Sequence, residues 1–214
     1  MIPKDVITVM LVDDHPVVRD GYSRILEKQP DISVVAEMDN GESAYMQYAE
    51  VNPDVVVLDI NMPGIGGLET IRRLRAKDSK VKILVFTMHD SKIMVARTLE
   101  AGASGYLMKS STAGEMIEAV RQVSSGKSYL DHELPADYKQ ATLADNDPIT
   151  VLTKREFQIF CALAEGQSVN EIAQLIFISP KTVGVHQTNL MNKLNLKNSA
   201  ELTHLAIQSG IVVA

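Results

Sequence analysis

Five short apolar runs recur along the first 127 residues, and a helix-like stretch follows each one. The runs occupy residues 7–12, 33–36, 55–58, 82–87 and 105–108 and are rich in Val and Ile. The intervening stretches, 16–28, 41–50, 68–76, 92–101 and 113–125, carry helix-forming residues, and Gly102 and Gly126 stand where helices stop. Strands separated by helices of this length pair in parallel and are covered on both faces. The expectation is an α/β fold, a flavodoxin-like (βα)5 unit with a doubly wound parallel sheet.

The pattern fails over residues 128–148. That stretch, which includes "DHELPADYKQATLADNDP", is polar, has two prolines and lacks a β-branched run. It reads as a linker with a short helix near 137–143. From Ile149 onward the periodicity is purely helical. "TKRE" at 153–156 predicts a capping box, and the helix it starts stops at Gly166. A second helix over 169–176 places Val169, Ile172, Ala173 and Ile176 on one face. "FISP" follows, with Ser179 as N-cap and Pro180 at the first helical position. The third helix runs to about Leu194, and a last one begins with an Asn198/Glu201 capping pattern and ends at Gly210. Two helices joined by a short turn inside a four-helix unit give a helix-turn-helix layout. The expected division is 1–127, a linker over 128–148, and an all-α four-helix domain over 149–214.

The strand ends carry the chemistry. In open parallel sheets, ligand sites lie beyond the carboxyl ends of the strands, where strand order reverses. Asp13 and Asp14 follow the first run, and Asp59 follows the third in "VVVLDINMPGIGG". In strand order 2-1-3-4-5 those runs are neighbours, so three carboxylates converge. Like charges that close repel unless a cation neutralises them, and oxygen ligands suit Mg²⁺. Lys109 ends the fifth run and offers a fixed cation to a phosphoryl oxygen or to Asp59. Thr87 ends the fourth and offers a hydroxyl to the same anion. One such Asp alone reads as a turn former or cap. Five such residues at the ends of four runs read as a site.

Charge and composition narrow the class. Residues 149–214 hold five basic and four acidic groups, a net +1, against −7 for residues 1–148. The tail is therefore not the strongly basic block of an unaided nucleic-acid binder. There is no run of about 18 apolar residues and no signal-peptide pattern, so the expected location is cytoplasmic, without a membrane partner. The single Cys161 excludes an internal disulfide framework and fits a reducing compartment. Its helical spacing with Phe157, Phe160 and Ala164 reads as a buried structural thiol.

At this point the chain resembles a known family. "LVDDHP", "VVLDINMPGIGG", "VFT" and "GYLMK" are similar to the receiver domain of two-component response regulators, over roughly residues 8–126. The resemblance implies that Asp59 is the phosphoacceptor, attacking the phosphohistidine of a sensor histidine kinase. It implies that Asp13, Asp14 and Asp59 bind Mg²⁺ with the backbone carbonyl of Asn61. Thr87 would be the switch hydroxyl, Tyr106 the rotating aromatic and Lys109 the phosphate-contacting cation. Tyr106 reads equally well as a half-buried strand aromatic. Such a receiver catalyses only its own phosphorylation and dephosphorylation and is not a turnover enzyme. A metal-dependent aspartyl phosphohydrolase is the enzymatic alternative. Those enzymes typically carry a D-x-D pair after the first strand, whereas Asp13 and Asp14 are adjacent here.

The tail over 152–206 resembles the LuxR-type helix-turn-helix of the NarL/FixJ class, and the receiver half is similar to the GacA/UvrY type. The third helix would enter the major groove of double-stranded DNA. Val183, His186, Leu190 and Leu194 should face inward. Lys181, Thr182, Val185, Thr188, Asn189 and Asn192 should face outward, with Lys181 and Lys193 on phosphates. Gly184, Gln187, Asn192 and Asn170 depart from the polar or basic residues common in relatives at these positions. Each lost phosphate contact weakens binding and flattens its salt dependence. Two readings follow: a DNA-binding regulator that dimerises on phosphorylation, or a phospho-switch whose tail binds a partner protein. The last helix, with Leu202, Leu205 and Ala206, is either a dimer surface or part of its own domain's core.

Overall fold

A computed structural model describes residues 6–135, 138 and 148–212. They fall into two compact units, one drawn from Met1–Met88 and Arg97–Lys139, the other from His89–Ala96 and Gln140–Ala214.

The first unit is built on one sheet. Its strands are β1 (Ile7–Val12), β2 (Ile32–Met38), β3 (Val55–Leu58), β4 (Ile83–Thr87), β5 (Gly105–Met108) and β6 (Tyr129–Leu130). They lie in the order β2-β1-β3-β4-β5-β6, and every neighbouring pair is parallel. Helices α1 (Pro16–Glu27), α2 (Gly41–Val51), α3 (Gly66–Lys77) and α5 (Ala113–Ser124) follow β1, β2, β3 and β5, while α4 (Lys92–Ala101), which follows β4, is divided between the two units at Ala96 and Arg97. The expected flavodoxin-like order is present, with its reversal between β1 and β3.

Alternation along each strand sends side chains to both faces. Val9, Leu11, Val55, Val57, Leu84, Phe86 and Leu107 share a core with Leu26 of α1 and with Met116, Val120 and Val123 of α5. On the other side α2 packs on α3, where Ala44, Tyr48, Ile71 and Leu74 are buried. Both faces are covered, which is why "VVVL" and "GYLM" are buried at every position. Each buried aliphatic side chain contributes about 1.5–3 kcal/mol relative to exposure.

One element corrects the sequence reading. Tyr129 and Leu130, assigned to the linker, form a sixth strand that pairs as Gly105↔Tyr129 and Tyr106↔Leu130. Two residues are too few to display a period of two. The short helix expected over 137–143 lies outside the described residues, Tyr138 excepted.

The second unit contains a 3₁₀ turn (Pro148–Val151) and helices α6 (Lys154–Ala164), α7 (Val169–Leu175), α8 (Pro180–Lys193) and α9 (Ser199–Gln208). Thr153 and Glu156 close the predicted capping box, and Ser179 accepts from the Thr182 N–H. A further box, Ser168 with Glu171, starts α7. At α9 the Asn198 side chain accepts from the Glu201 N–H at 2.9 Å, but Glu201 reaches the Lys197 N–H at 2.8 Å. Phe157, Phe160, Ile172, Val183, Leu190, Leu202 and Ala206 are buried, so α9 turns Leu202 and Ala206 inward. Cys161 is half-buried at the margin of this core and not enclosed by it. Among the described residues no helix is long and apolar enough to cross a membrane.

Candidate functional site

The carboxyl edge of the sheet sets three acidic side chains side by side. The ladder continues one step past each strand: the Asp13 N–H donates to Met38 O at 3.0 Å, Asp59 N–H to Val12 O at 2.9 Å and Lys109 N–H to Thr87 O at 2.8 Å. Each functional side chain therefore leaves a backbone that is still held by its neighbour strand. Arg19 of α1 donates to the Asp13 carbonyl at 2.6 Å, and the Asn61 N–H donates to Asp59 Oδ1 at 3.0 Å.

The loop after Asp59 closes against the start of α3. A Cβ on Gly67 would sit 2.3 Å from Ile60 Cα and 2.7 Å from the Asp59 carbonyl oxygen. Only a residue without a side chain permits that approach, which accounts for the last glycine of "PGIGG".

Lys109 is the counter-charge. Its Nζ lies 2.6 Å from Asp59 Oδ2 and 2.6 Å from Asp13 Oδ2, and its side chain is 8% exposed. Burial works against the ammonium's charge. The field of Asp59 and the hydrogen bonds to Asp13 and Asp59 outweigh it, so the lysine pKa stands above its ordinary value. One cation still faces three carboxylates.

Asp13, Asp14, His15 and Asp59 each bring a ligand atom within 4.8 Å of the others. Asp14 Oδ1 is buried and accepts no hydrogen bond, with His15 Nδ1 at 3.0 Å. A buried carboxylate oxygen with an ion-pair neighbour but no well-formed hydrogen bond costs free energy that a bound cation would remove. The oxygen-rich donor set fits a hard divalent ion. His15 was not anticipated from the sequence, although it follows Asp14 directly. Its Nδ1 is 3.2 Å from Asp13 Oδ1, and its backbone N–H donates to the same oxygen at 2.8 Å.

Thr87 closes β4 and is fully buried, and Tyr106 in β5 is fully buried too, more deeply than a half-buried strand aromatic. The sheet therefore brings Asp13, Asp14, Asp59 and Lys109 together. Thr87 stands on the strand between β3 and β5 that separates Asp59 from Lys109 in the order.

In the helical unit, α8 divides as expected. Val183, Leu190 and Leu194 are buried, and His186 is half-buried. Lys181, Thr182, Val185, Thr188, Asn189 and Asn192 are all exposed. Two of these are partly engaged: the Thr182 and Ser179 hydroxyls are 2.8 Å apart, and the Thr188 hydroxyl donates to the Gly184 carbonyl at 3.0 Å. Lys193, expected on a phosphate, is exposed and has a protein partner. Its Nζ pairs with Glu156 Oε2 at 2.7 Å.

Comparison with known proteins agrees with this geometry. Residues 9–121 match the response regulator receiver domain, and residues 150–206 match the luxR family of bacterial regulatory proteins. The chain is 40% identical over 209 residues to response regulator UvrY of Escherichia coli strain K12, covering 96% of this chain and 95% of that one. It is 35% identical over 211 residues to response regulator GacA of Pseudomonas viridiflava, covering 97% and 99%. Among solved structures, RcsB of Salmonella enterica serovar Typhimurium, bound to promoter rprA in the presence of phosphomimetic BeF3-, shares the fold. It matches with a TM-score of 0.73 at 22% identity, covering 94% of this chain and 98% of that one. With a receiver ahead of a LuxR-type helix-turn-helix, the chain belongs to the two-component response regulators of the NarL/FixJ class.

Proposed function

We propose that Asp59 accepts a phosphoryl group from the phosphohistidine of a sensor histidine kinase, and that this controls DNA binding by α8. The observation that carries the reading is Lys109, whose one ammonium sits 2.6 Å from both Asp13 and Asp59 beside a buried Asp14 oxygen that no well-formed hydrogen bond satisfies. An Asp59 carboxylate oxygen forms the new P–O bond as the P–N bond breaks, and the histidine leaves with a proton. Lys109 holds a phosphoryl oxygen in the product, and Asp59 stays oriented by the Asn61 N–H. A Mg²⁺ ion held by Asp13, Asp14, Asp59 and the Asn61 backbone carbonyl would neutralise charge on the transferring group. Thr87 then binds the phosphoryl anion, and Tyr106 responds by repacking.

The output half would bind double-stranded DNA as a homodimer, one half-site per chain. Lys181 contacts phosphate. Thr182, Val185, Thr188, Asn189 and Asn192 lie on the exposed face of α8 that would meet base edges. The promoter-bound RcsB, which shares the fold, is consistent with this mode. The reading is of a cytoplasmic phospho-switch that retains one phosphoryl group per chain. Steady turnover of a phosphate ester would instead support the phosphohydrolase alternative.

A second reading has an observation of its own. With Lys193 paired to Glu156, Lys181 is the basic side chain left on the outward positions of α8, which favours a tail that needs a partner protein. One experiment separates the two. Full-length protein treated with beryllofluoride and Mg²⁺ is used to recover genomic fragments at physiological salt, with Asp59→Asn as the control. Enrichment of a discrete set by wild type alone supports phosphorylation-gated DNA readout. Beryllofluoride uptake without enrichment in either sample points to the partner protein. No uptake by wild type sinks the phosphoacceptor assignment itself.

A further inference from the structure

Asp131 follows β6 and is 1% exposed, outside the acidic cluster. Its Oδ2 accepts from the Met108 N–H at 2.9 Å and from the Ser111 hydroxyl, and its Oδ1 accepts from the Glu133 N–H at 2.9 Å. Its own N–H donates to the Tyr106 carbonyl at 2.9 Å. Met108 immediately precedes Lys109, and Ser111 lies two residues after it. The Ser111 N–H closes back on the Met108 carbonyl at 3.1 Å. One buried carboxylate oxygen therefore grips both ends of the turn that carries Lys109.

The Glu133 contact alone would make Asp131 an ordinary local turn former. It does not account for Oδ2, which reaches across to a different strand end. A carboxylate this deeply buried is costly unless its acceptors are filled. Here three donors fill them, and two belong to the Lys109 turn. Charge-assisted bonds of this kind are stronger and more directional than neutral ones. The Lys109 ammonium must stay aimed at Asp59 and the phosphoryl oxygen it comes to hold while charge shifts during transfer, and a displacement of about 1 Å in such a group can cost up to about 100-fold in rate.

We propose that Asp131 is a positioning residue for phosphoryl transfer, fixing the turn that aims Lys109 at Asp59. The inference rests on Asp59 being the phosphoacceptor. It makes β6 and Asp131 part of the support of the site.

The test is a double-mutant cycle on the full-length chain, with a small acyl phosphate and Mg²⁺ as donor system and the rate of Asp59 labelling as readout. Asp131→Ala should slow labelling by about tenfold, within the range set by misplaced catalytic groups. Asp131→Asn, whose carbonyl oxygen can still accept from Met108 and Ser111, should recover most of the rate. In a Lys109→Ala background, Asp131→Ala should have no further effect, because the group it positions is gone. Equal slowing in both backgrounds, or no slowing in either, overturns the positioning role while leaving the phosphoacceptor reading intact. If wild type itself takes no label on Asp59, the phosphoacceptor reading fails and this inference falls with it. Should Asp131→Ala lose its cooperative thermal transition, Ser111→Ala replaces it in the same cycle. A smaller loss that again vanishes without Lys109 supports the proposal, and a loss that persists there overturns it.

Discussion

Lys193 Nζ lies 2.7 Å from Oε2 of Glu156, tying the last turn of α8 to the first turn of α6. The same oxygen accepts from the Thr153 N–H at 2.8 Å and the Thr153 hydroxyl at 2.9 Å. We therefore expect Lys193→Ala to lower the stability of the helical unit by about 1 kcal/mol, near the upper end for a partly exposed pair. It should leave the salt slope of DNA binding near wild type. Lys181→Ala should do the reverse, reducing that slope by about one. Affinities measured between about 50 and 200 mM salt decide this. A slope change for Lys193→Ala as large as that of Lys181→Ala would place its ammonium on a phosphate.

Glu156 makes the pair pH-dependent. Burial on its own raises the carboxyl pKa, but the hydrogen bond from Lys193 and those from Thr153 outweigh it and leave the pKa below the ordinary glutamate value. A depressed folded-state pKa gives stability that is present above the unfolded value, about 4.3, and is lost as pH falls through the folded value. Thermal midpoints of wild type should therefore fall more steeply below about pH 4 than those of Glu156→Gln, which lacks this titration. Parallel acid limbs for the two proteins would refute the assignment.

Gly184 sits inside α8 with nothing within 4 Å of where a Cβ would project. Gly184→Ala should raise stability by about 0.5–1 kcal/mol, the helix-interior cost of glycine. Chemical denaturation with an unchanged m-value is the check.

Gly67 is the opposite case. With Ile60 Cα 2.3 Å from the added Cβ, Gly67→Ala must push the Asp59 loop or the start of α3. We expect a loss of about 1–3 kcal/mol from overpacking and slower labelling of Asp59. Unchanged stability together with an unchanged labelling rate would show that the loop yields freely.

Mg²⁺ should raise the thermal midpoint of chelator-treated protein, because it relieves three carboxylates that share one ammonium. At 100-fold excess over its dissociation constant the gain is about 2.7 kcal/mol. Asp14→Asn should lose most of that increment. An increment that persists in this variant would move the ion away from the strand-end cluster.

How much of this was legible in the sequence depends on the range of each interaction. The covered sheet was legible because strands buried on both faces must be continuously apolar, as Val55–Leu58 is. Asp13, Asp14, Asp59 and Lys109 were legible because strand ends in a parallel sheet share one edge. β6 was not, since Tyr129 and Leu130 take their conformation from pairing with Gly105 and Tyr106, over twenty residues away in sequence. The Lys193–Glu156 pair was hidden for the same reason. The helix face of Lys193 reads as outward, but its partner lies 37 residues back and leaves no local trace. The Ser168/Glu171 box, by contrast, was visible in "SVNE" and needed only the rule already applied to "TKRE".

The sixth strand changes where the receiver can be cut. A fragment ended at residue 127, where the alternating pattern stops, would bare the outer edge of β5 and strip Met108 and Ser111 of their buried acceptor. An uncovered parallel edge invites pairing between copies. A fragment carried through Leu134 keeps that edge paired and that acceptor in place, and so is the better piece to make for studying the receiver alone.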